Sequence, residues 1–211
     1  SKTYLILKDI FPQNAVDIGI IKKGSLIWRY FRNKEINLYK NSDIIGCMSK
    51  GNLEYILKHN PFLEKDKVEI FPNAIKPIER IEIRKKNPEI LKKYNIPENA
   101  ILFVDGGNLG KPQGIDFLLE VVDNFYLVEN SYLLIVGSGT EFDRIKAHIE
   151  NNKPKNVSLL NKLPKEEYDE LIKSADVGLI FLDRRFTIPN FPSRLTSYME
   201  NSLPILAATD V

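Results

Sequence analysis

A chain of 211 residues can fold as one large or two small domains with a full core, and 43% hydrophobic with 27% charged residues is an ordinary globular composition. Thirty Lys and Arg against 28 Asp and Glu leave a net charge of +2. That balance is too near neutral to announce nucleic-acid binding by bulk charge, and these residues show neither a signal-peptide pattern nor an apolar run long enough to cross a bilayer. A single cysteine, Cys47, excludes an internal disulfide and fits a reducing compartment, where a buried structural thiol is the simplest role.

In chain order, Tyr4 to Leu7 reads as a buried strand, with Asp9, Phe11, Pro12, Gln13 and Asn14 forming a polar and aromatic loop at its carboxyl end. Ser25 opens a helix to about Asn41 that carries Ile27, Phe31 and Leu38 on one side and Arg29, Arg32 and Lys40 on another, near Trp28 and Tyr30. Such a helix either rests on an anionic membrane surface or shows a solvated face while its apolar side packs. Ile44 to Met48 is a second strand, and Ser49 is an N-cap for a helix carrying Leu53, Ile56 and Leu57 that Pro61 ends. Val68 to Phe71 is a third strand, closed by Pro72 and Asn73.

From Ala74 to Asn87 the chain is charged and weakly periodic, with Pro77 and the trio Arg84, Lys85, Lys86, which reads as an exposed connector or domain boundary. Asn87 and Pro88 start a short helix through Tyr94. The expected organisation is therefore residues 1–73 as the end of one domain, 74–99 as connector and 100–211 as a second domain. Both ends are expected to be cut, because the opening and closing strands lack covering elements.

After Ala100 the alternation is regular. Strands are expected at Ile101 to Val104, Tyr132 to Val136, Val157 to Leu160, Val177 to Leu182 and Ile205 to Ala207, separated by helices at Ile115 to Leu127, Glu141 to Asn151, Lys165 to Ser174 and Ser193 to Asn201. This βαβα order implies a parallel sheet with helices on both faces and right-handed crossovers. The loops 105–113, 137–140, 161–164 and 183–192 should then line one edge, where open sheets of this kind take ligands.

Two of these loops are rich in glycine. In the stretch ILFVDGGNLGKPQGIDFLLE, Gly106, Gly107 and Gly110 permit backbone angles and close approaches that a Cβ forbids. Free amides at the following helix start, with Lys111, suit an anion, although a plain strand-to-helix turn reads equally well. Gly137, Ser138 and Gly139 form a second turn, with Thr140 as the expected cap. The 183–192 loop is basic and aromatic and delivers Ser193 and Arg194 to a helix start, a further anion-suited terminus. Two such loops on one edge point to a diphosphate or nucleotide. His59 and His148 have no metal-ligand neighbours and read as surface or structural residues.

The segments GGNLGKPQGIDFLLEVV, SYLLIVGSGTEFDRI, NVSLLNKLPKEEYDELIKSADVGLIFLD and NFPSRLTSYMENSLPILAA, in this order, resemble the donor-binding domain of retaining glycosyltransferases of family 4, which have the two-domain GT-B fold. YLILKDIFPQNAVDIGII and IIGCMSKGNLEYILKHNP resemble the end of the acceptor-side domain in members that build bacterial capsule or O-antigen repeats. The resemblance implies α/β architecture of GT-B type and transfer of a hexose-type sugar from a nucleoside-diphosphate sugar, with uridine favoured as the nucleoside. The expected acceptor is a saccharide or a lipid-linked saccharide. Retention of configuration is implied, with no cofactor or metal and no nucleic-acid partner. It also implies a cytoplasmic protein, peripheral at the inner membrane face.

On the resemblance, Gly107, Asn108, Lys111, Ser193 and Arg194 hold the diphosphate. Gly137, Lys162, Leu163, Asn190, Phe191 and Ser197 lie at the nucleoside and sugar. Catalytic residues on the acceptor side fall outside this chain, so the chain alone is expected to be inactive. The family's loop cations fall here on Asn108 and Gln113, and its glutamates eight apart fall on Pro189 and Ser197. These departures keep open a non-catalytic nucleotide-sugar-binding module. The turn at Gly137 and Gly139 keeps open, more weakly, an NAD(P)-binding oxidoreductase domain, because Phe142 occupies the third glycine position of that fingerprint.

Overall fold

The computed structural model describes residues 2–76 and 85–209. They fall into two compact units, one formed by residues 2–74 with 184–192 and the other by 75–76, 85–183 and 193–209. Each has its own parallel sheet.

The first unit carries strands β1 (Tyr4–Leu7), β2 (Ile44–Cys47) and β3 (Val68–Ile70) in the order β1-β2-β3. Its helices are α1 (Gln13–Asp17), α2 (Leu26–Asn41) and α3 (Lys50–His59). The expected caps form: the Ser25 hydroxyl accepts from the Trp28 N–H and the Ser49 hydroxyl from the Asn52 N–H, both at 3.2 Å. The core gathers Ile10, Ile18, Tyr39, Ile45, Cys47, Ile56 and Val68, and it is completed by Phe186 and Ile188 from far along the chain. Strand β1, expected to be buried, is an edge strand with Tyr4 and Ile6 exposed. The loop expected after it contains α1, too short and polar to show a period.

Helix α2 packs the other way round from its apolar pattern. Ile27 and Leu38 are 61% and 50% exposed, whereas Tyr39 is buried and Arg32 and Glu35 are half-buried. The inward side is a closed polar network: Arg32 pairs with Glu35 at 2.5 Å and donates to Asn60 Oδ1 at 2.6 Å, while the Tyr39 hydroxyl donates to Glu35 at 2.8 Å. Because every member has a partner, the polar side can be buried at low cost and the apolar stripe is left outside.

The second unit begins earlier than expected. Helix α4 (Pro88–Lys93) is capped by Asn87 and buries Ile90 and Leu91 in this unit's core, and Lys86 pairs with Asp176 at 2.7 Å. Residues 85–99 therefore belong to the second unit, while Pro77 and Arg84 of the expected connector lie outside the described residues. Five parallel strands follow, β4 (Ile101–Asn108), β5 (Ser131–Ser138), β6 (Val157–Asn161), β7 (Val177–Phe181) and β8 (Ile205–Ala208), in the order β6-β5-β4-β7-β8. Helices α5 (Ile115–Asn124), α6 (Phe142–Asn152), α7 (Lys165–Ser174) and α8 (Arg194–Glu200) connect them.

Both faces of this sheet are covered, so the interior strand β5 is buried throughout its apolar run. Leu134 and Val136 join Leu102, Val104, Leu171 and Ile172 on one face, and Leu133 and Ile135 join Leu118, Val122 and Ile145 on the other. Strand order reverses between β4 and β7, which places the ligand-binding crevice of such sheets at the carboxyl end of β4.

Candidate functional site

Strand β4 does not stop at Val104 but runs through both glycines to Asn108, paired with β5 as far as Asn108 to Ser138. Glycine on both strands permits this. A Cβ on Gly137 would overlap the Gly107 carbonyl, and one on Gly106 would overlap the Tyr168 ring. On its other flank β4 pairs with β7 only at Phe103 and Val104. Beyond that point the strands part, and side chains fill the split.

Tyr198 closes the backbone side of the split. Its ring lies on Gly178, and its hydroxyl donates to the Val104 carbonyl and accepts from the Gly106 N–H, both at 3.2 Å. Asp105 projects from the same strand end, 1% exposed, and is paired with Arg194, the first residue of α8. The second guanidinium nitrogen of Arg194 donates to the Asn108 carbonyl at 3.1 Å and to Gln113 Oε1 at 2.7 Å. Burial pushes the Asp105 carboxyl up from its ordinary range, and Arg194 opposes the shift. One cation thus ties down the strand end and the turn beyond it.

The two glycine turns are also stitched to each other. The Leu109 N–H donates to the Ser138 carbonyl at 2.9 Å and the Leu109 carbonyl accepts from the Glu141 N–H at 3.0 Å. Gly139 lies so close to Leu109 that a Cβ would meet its backbone. Thr140, expected as the cap of α6, is replaced by Glu141, and no side chain caps this helix. The Glu141 amide is used inside the protein because Leu109 reaches it first.

Over this frame lies a cleft of about 430 Å³, lined by Gly107, Asn108, Val136, Gly137, Ser138, Lys162, Leu163, Lys165 and Tyr168. Five of the expected site residues meet here: Gly107, Asn108, Gly137, Lys162 and Leu163. Lys111 lies outside the lining, exposed in a single 3₁₀ turn that separates the glycines from α5. Arg194 is beneath the floor, with its guanidinium 3.9 Å from the position of a Gly107 Cβ.

The remaining expected residues do not join the cleft. Ser193 is exposed at the start of α8, and the Ser197 carbonyl accepts from Asn201. Asn190 and Phe191 lie in the segment 184–192, expected on the edge of the second sheet but packed into the first unit. There Asn52 donates to the Pro189 carbonyl at 2.7 Å, and Thr187 bonds Asp17. Phe186 and Ile188 draw the segment into that core.

Ser138, Lys165 and Tyr168 were not singled out from sequence. The spacing of Lys165 and Tyr168, three apart at the start of α7 beside the expected Lys162 and Leu163, was the available signal. Burial pushes the Tyr168 phenol up to about 12, so it stays protonated at neutral pH. His59 stacks on Tyr55 and His148 bonds Asp123 at 2.7 Å. Among the described residues no three His, Cys, Asp or Glu side chains gather as metal ligands do.

A parallel sheet with a glycine-walled cleft at the carboxyl ends of β4 and β5 makes this an α/β domain, and solved structures of like fold are GT-B glycosyltransferases. The model of the family glycosyl transferases group 1 matches residues 86–210, and the chain belongs to that family. It is 26% identical over 213 residues to the probable glycosyltransferase WbjE of Pseudomonas aeruginosa, covering 99% of this chain and 51% of that protein. The chain thus spans about half the length of its curated relative.

Among solved structures, WaaG, a glycosyltransferase involved in lipopolysaccharide biosynthesis, matches with a TM-score of 0.64 at 17% identity over 97% of this chain and 55% of that one. Anabaena HepE in complex with UDP and glucose matches with a TM-score of 0.64 at 14% identity over 98% of this chain and 52% of that one. The N-terminal domain of Candida albicans trehalose-6-phosphate phosphatase matches with a TM-score of 0.68 at 17% identity over 97% and 50%. At these identities the likeness establishes the fold and nothing finer.

Proposed function

We propose that the cleft over Gly107 and Gly137 holds a nucleoside-diphosphate sugar, with uridine as the base. The whole protein then transfers the sugar, with retention and without a metal, to a lipid-linked saccharide in capsule or O-antigen synthesis at the cytoplasmic membrane face. The observation that carries this reading is the lining itself: bare glycine backbone from two adjacent strands faces Lys162 and Lys165 across a space of about 430 Å³, within the usual size of small-ligand sites. UDP and glucose in HepE, and the lipopolysaccharide role of WaaG, are properties of those proteins that support the choice of donor and pathway.

In this reading Lys162 and the exposed Lys111 balance the charge that develops on the departing diphosphate, and Lys165, paired with Asp169 at 2.5 Å, joins them by exchanging that partner for a phosphate. Fixed dipoles and cations do so without reorganising as the bond breaks. Arg194 acts by holding Asn108 and Gln113, since Asp105 already balances its charge. The dinucleotide reading loses support from the Glu141 amide, which is bonded to Leu109 where a pyrophosphate would need it.

Titration calorimetry should show saturable UDP binding that weakens about tenfold in Lys162→Ala and in Lys165→Ala, the loss expected for one charge-assisted contact of about 1.4 kcal/mol. Binding of NAD with no response to UDP would sink the proposal. The non-catalytic module is favoured by one observation, that Ser197 offers no carboxylate where the family places one. Labelled sugar transferred by the full-length protein would exclude that alternative.

A further inference from the structure

The cleft over Gly107 and Gly137 contains one hydroxyl that the protein itself does not use. Tyr168, in the first turn of α7, packs against the core of the second unit with its ring on Gly106. Glycine at 106 is what admits it, since a Cβ there would meet both the ring and the hydroxyl oxygen. The ring is therefore held in place, yet its hydroxyl opens on the cleft and makes no hydrogen bond among the described residues. Tyr198, against the same strand, shows the usual arrangement of a buried phenol: its hydroxyl serves the Val104 carbonyl and the Gly106 N–H. A phenol fixed by packing and left without a partner calls for one from outside the chain.

The surrounding chemistry narrows what that partner is. The charged residues of the lining are Lys162 and Lys165, and no carboxylate lines the cleft. Ammonium groups and backbone N–H groups only donate, which suits the oxygens of a diphosphate. A ligand hydroxyl asks for more, because it has a proton to give as well as lone pairs to fill. Tyr168 meets both demands at one atom: burial keeps the phenol protonated at neutral pH, and the same oxygen accepts. Asn108 and Ser138 also carry acceptors, but both are exposed at the last positions of β4 and β5. Tyr168 lies over Gly106, one residue further into the sheet than the Gly107 backbone. The cleft thus has donors for phosphate and, deeper, a fixed group suited to a neutral hydroxyl.

We propose that the Tyr168 hydroxyl bonds a ribose hydroxyl of the nucleotide, so that the cleft selects a nucleoside diphosphate whose ribose keeps both hydroxyls. A ribose hydroxyl is donor and acceptor at once, as the phenol is. The assignment rests on the donor reading of this cleft and adds to it the residue that reads the pentose.

Titration calorimetry of the full-length protein with UDP, 2′-deoxy-UDP and 3′-deoxy-UDP tests it. The parent should bind UDP about tenfold more tightly than one of the two deoxy compounds, the size of one well-placed hydrogen bond. Tyr168→Phe keeps the ring on Gly106 and removes the hydroxyl alone. It should bind UDP about tenfold more weakly and no longer distinguish UDP from that deoxy compound. A Phe variant with parental UDP affinity would overturn the assignment, as would a parent that binds all three compounds alike. Equal weakening of all three in the variant would place the phenol on a phosphate or give it a packing role only, and would refute the assignment too. In each of these cases UDP still binds the parent and the donor reading stands, whereas a parent that binds no UDP ends both.

Discussion

Asp105 gives one carboxylate oxygen to Arg194 and keeps the other buried with no hydrogen-bond partner. Such a pair contributes little net stability but is costly to break on one side. Arg194→Ala should therefore lose about 3–5 kcal/mol in urea unfolding, because a carboxylate is stranded in the split between β4 and β7. Replacing both partners, as Asp105→Leu/Arg194→Met, should recover most of that loss, yet UDP affinity should stay low because nothing then holds Asn108 and Gln113. A double variant that binds UDP like the parent would remove Arg194 from the site altogether. On the proposed function the pair serves position rather than stability, and the two measurements separate these roles.

At the scale of elements, strand β2 buries Cys47 completely and its thiol is pushed up to about 11 by that burial. A thiol raised in the folded state stabilises fully below its unfolded value of about 8.5 and loses that contribution as pH rises towards 11. At pH 8 a disulfide reagent should label Cys47 only as fast as the first unit opens, and urea should accelerate labelling in step with unfolding. Rapid labelling of the native protein would contradict the burial.

The same strands show which elements could be read in advance. Apolar runs such as YLLIVG in β5 and the caps Ser25, Ser49 and Asn87 are local signals, and they place their elements to within a few residues. Gly106 and Gly107 read as a loop because glycine is a loop former by itself. They are strand residues only because β5 places Gly137 opposite Gly107, a fact of pairing and not of local preference. Helix α2 misleads for a related reason: a pattern of apolar residues locates a face but does not say whether protein or something else covers it. Of the site, the glycines, Asn108, Lys162 and Leu163 were visible as motif positions. Tyr168 and the role of Arg194 depend on which side chains enter a split that exists only once the sheet forms.

At the scale of the whole molecule, the chain passes from β7 into the first unit's core and back to α8. Phe186 and Ile188, 8% and 3% exposed, pack there with Ile10, Ile18, Tyr39 and Ile56. Ile188→Ala should cost about 2–5 kcal/mol, read in the first unit by Trp28 emission and Cys47 labelling, although residue 188 is distant in sequence from both. A piece ending at residue 76 lacks these two side chains and should fail to fold alone. A folded, cooperatively melting piece would show that the segment is dispensable.

That excursion bears on how members of the family can exchange parts. A hybrid joined once, in the stretch between the two sheets, would mate the first unit of one parent with a core-filling segment from the other. Mismatched side chains at 186 and 188 would then spoil a hydrophobic interior remote from the junction. On the proposed function, donor preference should transfer between relatives only when residues 184–192 are exchanged in the opposite sense from the segments that flank them, so that three junctions are required where the domain layout alone indicates one.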